Sequence, residues 1–283
     1  MSALADAATL YRGELDLGLD RRGDGRTVAR SQYHRGALRV LRPMYLDATG
    51  QVTYVVVNPG GAYLDGDRYR IDVTLDDGAD LLLTTQSATK VYRTPREGAI
   101  QEARFVLGSG SRLEYLPDQL IAYRGSRYEQ DTRIEMDPTA GLVMAEVVTP
   151  GWSPSGAPFG YRELRLRTEV AMGGRPVVVD SIVLDPSDGA GGLGALGLLE
   201  GHSHLGSLLV VDPRADQDAV DAVRGLLADR PALRGGVSAL AVPGFALRAL
   251  GPSTDDVGGV IRSAVDNLRA RWGGQGRVDL RKY

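Results

Sequence analysis

The chain of 283 residues contains no cysteine. That absence excludes disulfides, thiolate metal sites and thiol nucleophiles together. Lysine is nearly absent as well: Lys90 and Lys282 stand against 31 arginines, which marks Lys90, set among small polar residues, as a candidate for a specific role. Phenylalanine and tryptophan number only 3 and 2. No apolar run approaches the roughly 20 residues that span a bilayer. The first twenty residues have neither a basic start nor the unbroken apolar core of a secretion signal, so a cytoplasmic protein with no membrane partner is expected. A formal charge of -3, without a basic run, gives no general attraction to phosphate backbones, and nucleic acid is not expected as a partner. No G-x-x-x-x-G-K-[ST] or G-x-S-x-G occurs, which removes the P-loop and the nucleophile elbow.

What is abundant is glycine, 37 residues, many of them in turn-like clusters. Gly50, Gly78, Gly110, Gly141 and Gly174 follow one another at intervals of 28, 32, 31 and 33 positions, the signature of a repeated supersecondary unit. Between them run segments that alternate apolar and polar residues, such as Tyr69, Ile71, Val73 and Leu75. Asp77-Gly78 then offers a turn into Leu81 to Leu83, which reads as a β-hairpin. The expected fold is mainly β: long hairpins wound into stacked sheets, resembling a β-helix or sandwich. Helical spacing enters only after His204, with Val220, Val223 and Leu227 on one face, and Val257, Ile261, Ala264 and Leu268 on another. The divisions read from this are a β-rich body over 1–186, a glycine-rich linker or loop over 187–203, and a small β-α-β-β-α unit over 204–283 packed on the body.

The stretch from Val55 to Arg93 stands out because its ends are too polar and small to fill a core. Asn58-Pro59-Gly60-Gly61 with Asp65-Gly66-Asp67 lies at one end, and Thr84-Thr85-Gln86-Ser87-Ala88-Thr89-Lys90-Val91-Tyr92-Arg93 at the other. Asp65 and Asp67 offer two carboxylates that either hold a cation or cap a turn. His202-Ser203-His204 is the only histidine pair, and two imidazoles on one side of a strand fall short of a complete metal site. Gly192-Leu193-Gly194-Ala195-Leu196-Gly197 matches the dinucleotide pattern, but the chemistry requires a helix opening at the third glycine, and the residues that follow lead into a strand. Residue patterning alone ends at a β-rich protein with a polar patch near residues 58–90, better suited to binding than to turnover.

The same block, together with Glu114-Tyr115-Leu116-Pro117, resembles the urease accessory protein UreD (UreH) family in the order and spacing of its motifs. The resemblance covers roughly the first half. Ser87 stands where alanine is usual, and after Gly151 the likeness rests mainly on length and on the ending Asp279-Leu280-Arg281-Lys282-Tyr283. It implies a non-enzymatic nickel-insertion scaffold that binds apo-urease and, through a UreF-type partner, recruits the GTPase UreG. No tightly bound cofactor is expected, but nickel(II) in transit is. For that passage Asp65, Asp67, Glu114, Glu146, His202 and His204 are the candidate oxygen and imidazole ligands, with Lys90 or a nearby arginine balancing the acids when no metal is there. Asn58, Pro59, Gly60, Gly61, Gly66, Thr84, Thr85, Gln86, Lys90, Tyr92 and Arg93 are the motif positions. The competing readings are a nucleotide-dependent enzyme using the Gly192 to Gly197 loop and an interaction protein unrelated to metal.

Overall fold

A computed structural model describes residues 10–187, 192–195 and 198–278. The chain builds two sheets that face each other across one apolar core. It opens with the antiparallel pair β1 (Gly13–Arg21) and β2 (Thr27–Gly36), followed by the short β3 (Arg39–Val40). Winding then begins. β4 (Val52–Val57) lies in the second sheet, β5 (Arg68–Leu75) in the first, and β6 (Asp80–Thr85) in the second again. After the short β7 (Thr89–Val91) the path repeats through β8 (Ala99–Leu107) and β9 (Arg112–Leu116). Past β10 (Leu120–Ala122) it repeats through β11 (Arg127–Met136) and β12 (Gly141–Val148).

This winding corrects the expected hairpins. β5 and β6, on either side of Asp77-Gly78, do not pair with each other. β5 pairs in parallel with β1 and β8, and β6 with β4 and β9. The glycine interval from Gly50 to Gly141 is therefore the length of one coil, whereas Gly174 lies in the turn of an antiparallel pair. Gly78, Gly110 and Gly141 occupy the corner where each coil passes between sheets, and Gly78 and Gly141 are tied to neighbouring coils, donating to the carbonyls of Ser109 and Ser111. Sequence alternation carries no information about which strand is the partner, so an inward-facing apolar row fits a parallel coil as well as a hairpin.

The first sheet is completed by β13 (Glu163–Met172) and β14 (Arg175–Leu184), which do form an antiparallel pair. The second sheet continues past β12 into β15 (His204–Val211), then β17 (Gly244–Gly251) and β16 (Arg234–Ala239), all antiparallel. The C-terminal unit thus shares one hydrogen-bonded sheet with the body. Helices α1 (Gln217–Ala228) and α2 (Thr254–Gly273) start where expected: the Asp216 carboxylate accepts the Ala219 N–H at 2.8 Å, and Ser253 Oγ accepts the Asp256 N–H at 3.1 Å. Both lie on the outer face of the second sheet. Val223, Val257, Ile261 and Leu268 there meet Leu208, Phe245 and Leu247 in a separate apolar cluster. Gly206 permits that contact, because a Cβ at this position would stand 2.2 Å from Val257 Cγ1.

The first sheet has a wet outer face paved with charge, including Arg35–Glu14 at 2.6 Å, Arg68–Glu102 at 3.0 Å and Arg165–Glu163 at 2.6 Å. Among the described residues no helix is long and apolar enough to cross a membrane.

Candidate functional site

Between the two sheets the interior is mostly leucine, valine and aromatic rings, as inward-facing strand positions demand. A polar seam interrupts it. Gln101 takes an inward position of β8, in line with Ala103 and Phe105, and accepts a hydrogen bond from the Tyr63 hydroxyl at 2.6 Å. The Tyr115 hydroxyl, reaching in from the opposite sheet, meets the same side chain. One strand further along, the Tyr128 hydroxyl donates to Gln130 Oε1 at 3.1 Å, and Gln130 Nε2 donates to the Glu146 carboxylate. Tyr63 links the two groups, stacked on Tyr69 at 3.8 Å between centroids and 6.0 Å from Tyr128.

At one end the seam reaches a cavity lined by motif residues: Asn58, Gly61, Thr85, Gln86, Thr89 and Lys90, with Tyr63, Gln101 and Tyr115 at its floor. Toward the other end, Glu146 stands opposite Ser207, which stands opposite Arg248, the last of the three. Arg248 crosses to the first sheet and pairs with Asp180, and these two side chains are 37% and 32% exposed. Nearby inward positions are hydroxylic, with Thr132 opposite Thr168 and Thr168 opposite Asp180. Thr132 Oγ1 and Arg248 Nη1 are buried without a hydrogen-bond partner. Buried polar atoms are usually satisfied, so these two keep hydrogen-bonding capacity in reserve.

Electrostatics follows from this enclosure. Desolvation pushes the Glu146 carboxyl up to about 7, since the Gln130 amide and the Arg248 charge only partly offset it and Asp180 adds to the rise. Burial also raises Tyr63, Tyr115 and Tyr128, with the Glu146 charge contributing at the last two. These phenols stay neutral and offer hydroxyl oxygens.

The sequence candidates divide by where the coils place them. Asp67 reaches the seam: its carboxylate accepts from the Leu64 N–H at 2.8 Å and from the Tyr69 hydroxyl at 3.2 Å. Glu146 is in its centre and Lys90 at its mouth. Asp65 turns the other way and accepts the backbone N–H groups of Arg96, Glu97 and Gly98. Burial opposes charge on it, but these amides and the Arg96 side chain hold the carboxyl below its ordinary value. Glu114 lies on the far face of the second sheet under α2, fully buried between Arg112 and Arg269. His202 precedes β15 and His204 opens it, with His204 Nδ1 2.8 Å from Ser203 Oγ; burial lowers the imidazole pKa, partly countered by the Pro252 carbonyl and Asp256. The acids balanced by arginine are thus Asp65 and Glu114, and among the described residues Lys90 enters no ion pair. Nor do three His, Asp or Glu side chains among them form a group that could hold a metal ion.

The other motif positions serve the coil ends. Gly60 N–H binds the Asn58 side chain at 3.0 Å beside Pro59, Gly66 N–H binds the Gly98 carbonyl at 2.7 Å, and Thr84 Oγ1 donates to the Leu116 carbonyl. Tyr92 and Arg93 point away from the seam into solvent. Gly192–Gly194 form a single 3-10 turn, and among the described residues of the loop there is no α-helix; Gly189, Gly191, Leu196, Gly197 and the Asp279-to-Tyr283 ending fall outside the described residues.

The family profile described as UreD urease accessory protein matches residues 11–282. The chain belongs to the UreD family. It is 50% identical to the urease accessory protein UreD of Paenarthrobacter aurescens strain TC1 over 289 residues, covering 100% of this chain and 99% of that one. Identity to the UreD of Actinomyces naeslundii is 51%, covering 96% of this chain and 98% of the relative; for Arthrobacter sp. strain FB24 the figures are 52%, 96% and 94%. The UreD likeness therefore runs through the second half, beyond Gly151, where motif inspection found little.

For this UreD family member, motif reading located the mouth of the seam but missed Gln101, Gln130, Asp180 and Arg248 inside it. A signal was present: Gln101 sits where the alternation of β8 calls for an apolar residue, as Gln130 and Thr132 do on β11. Single polar residues in phase with a buried face are the mark to look for.

Proposed function

We propose that this chain is a non-catalytic maturation factor for urease, a nickel-insertion scaffold that works in the cytoplasm. On this reading it binds apo-urease, engages a UreF-type protein and, through it, the GTPase UreG, and lets nickel(II) pass along the seam between its sheets. Membership of the UreD family supports the urease role. The observation that carries the route is Glu146: a carboxylate enclosed between two sheets with one amide partner, in line with hydroxyl and amide oxygens, between the cavity beside Lys90 and the part-exposed Arg248–Asp180 pair.

The chemistry fits transit better than storage. Nickel(II) held by several carboxylates or imidazoles would leave slowly, whereas neutral oxygens with one acid bind weakly and exchange. Near neutrality the Glu146 carboxyl is poised between its two forms, so a cation arriving there displaces a proton instead of breaking an ion pair. Lys90 keeps the mouth from becoming a second anionic trap.

The test is urease activation in cells co-expressing the structural subunits and accessory proteins. Glu146→Gln lowers urease activity and the nickel content of purified urease, while pull-down shows the chain still assembled with its UreF-type partner. Full activation with Glu146→Gln removes the seam from the route. Loss of assembly with every seam variant makes the chain a scaffold only.

A further inference from the structure

At the coil ends β7 and β10 lie side by side in parallel, with Ile121 opposite Lys90 and Ala122 opposite Val91, and the residues that follow them turn outward, away from the seam. The register brings a short repeat into line. Val91-Tyr92-Arg93 on one coil sits beside Ala122-Tyr123-Arg124 on the next, and Trp152 bridges to Tyr123 on the third. The rings form a ladder, with Tyr92 and Tyr123 centroids 4.7 Å apart and Tyr123 and Trp152 4.9 Å apart. Tyr92 is 42% and Trp152 51% exposed, in a chain with only 2 tryptophans. Arg93 and Arg124 follow the two tyrosines in sequence, and with the rings and Pro154 they line one open groove.

Among the described residues neither Arg93 nor Arg124 makes an ion pair, so both guanidinium groups are open to an incoming acid. The third rung is also held at a conformational cost. Gly151 brings its backbone so close that a Cβ would stand 2.2 Å from the Ala122 carbonyl oxygen, and Phe159, in the loop that returns from Trp152, has φ of 58°. A non-glycine residue in that region carries strain that the surroundings must impose.

We infer that this groove docks an acidic, proline-containing segment of a partner protein in an extended polyproline II conformation. The ladder from Tyr92 to Trp152 covers about one turn of such a helix, roughly 9.3 Å, and aromatic grooves recognise it because proline rings pack on the faces of aromatic side chains. The two unpaired guanidinium groups beside the rings select carboxylates and reject basic segments. A nucleic-acid strand is less well served, because two arginines give too short a cationic track for a phosphate backbone. The inference stands without the proposed nickel route.

The full chain is titrated with a fluorescein-labelled twelve-residue peptide of the repeat Glu-Pro-Leu-Pro, followed by anisotropy. The wild-type chain binds it, the matching Lys-Pro-Leu-Pro peptide binds weakly, and added salt weakens the complex. Arg93→Glu with Arg124→Glu, both exposed and so without effect on the circular-dichroism spectrum, lowers affinity by at least about tenfold and reverses the preference between the two peptides. Trp152→Ala weakens both peptides. No binding by the wild-type chain, or equal affinity for the charge-reversed chain, overturns the inference. So does tighter binding of a twelve-nucleotide oligothymidine at the same site, or self-association in sedimentation that Trp152→Ala abolishes, since the groove would then serve a nucleic acid or a second copy.

Discussion

Glu146→Gln separates what the seam does for stability from what it does for function. The Glu146 carboxyl has an ordinary value of 4.5 and is pushed up to about 7 by its enclosure between the sheets. An acid whose folded pKa is raised favours the folded state fully only while protonated, that is below about 4.5. Stability is then lost as pH rises, and the loss is complete above about 7. A rise of this size corresponds to about 3 kcal/mol at pH 8, at roughly 1.36 kcal/mol per pKa unit. Glutamine keeps the shape and still accepts from Gln130 Nε2, but it carries no charge to desolvate. The variant is therefore expected to be more stable than the wild-type chain by about 2–3 kcal/mol at pH 8, which for a chain of this length raises Tm by roughly 5–10 °C. Near pH 4 the two should unfold alike. The assay is thermal or urea unfolding of both chains from pH 4 to pH 8, and the difference between them isolates this one carboxyl because the other acids titrate in both. A constant difference across that range, or a variant less stable at pH 8, refutes the reasoning. Together with lowered urease activation, the expected result would show a costly carboxylate retained for its work.

The buried network under α2 has the opposite sign. Arg269, 1% exposed, donates to Glu114 and to Gln51, so Arg269→Met leaves Glu114 with Arg112 alone and costs about 3–5 kcal/mol, roughly 10 °C in Tm by calorimetry. Desolvation raises the Glu114 carboxyl even with both arginines present, so the variant's deficit should shrink as the pH falls and that acid takes up a proton. An unchanged Tm would mean that α2 is held by its apolar face alone. Gly206→Val drives a branched side chain into Val257 and Ile261 and lifts α2 from the sheet; tryptophan fluorescence from Trp272 and a lower unfolding midpoint report it, and a native midpoint would show that the helix can shift freely.

Much of the architecture was legible because it rests on local chemistry. Period-two alternation marks strands, Asp216 and Ser253 announce helix starts, and regularly spaced glycines mark the corners. The polar block from Asn58 to Lys90 could be flagged from composition alone, since Thr85, Gln86 and Thr89 have no business in a core. What residue order could not express was pairing. A strand beside its successor and a strand beside the next coil present the same alternation, so β5 and β6 read as a hairpin until the parallel ladders put them in opposite sheets. That choice decides the site. Glu146 and Asp180 are far apart in sequence and on different sheets, and only the stacking of coils sets them along one seam, whereas Asp65, two positions from Asp67, is turned outward by a corner. Carboxylates look alike in a sequence; which becomes a turn cap, which a buried ion-pair partner and which a poised acid is set by the dielectric and the neighbours that folding delivers.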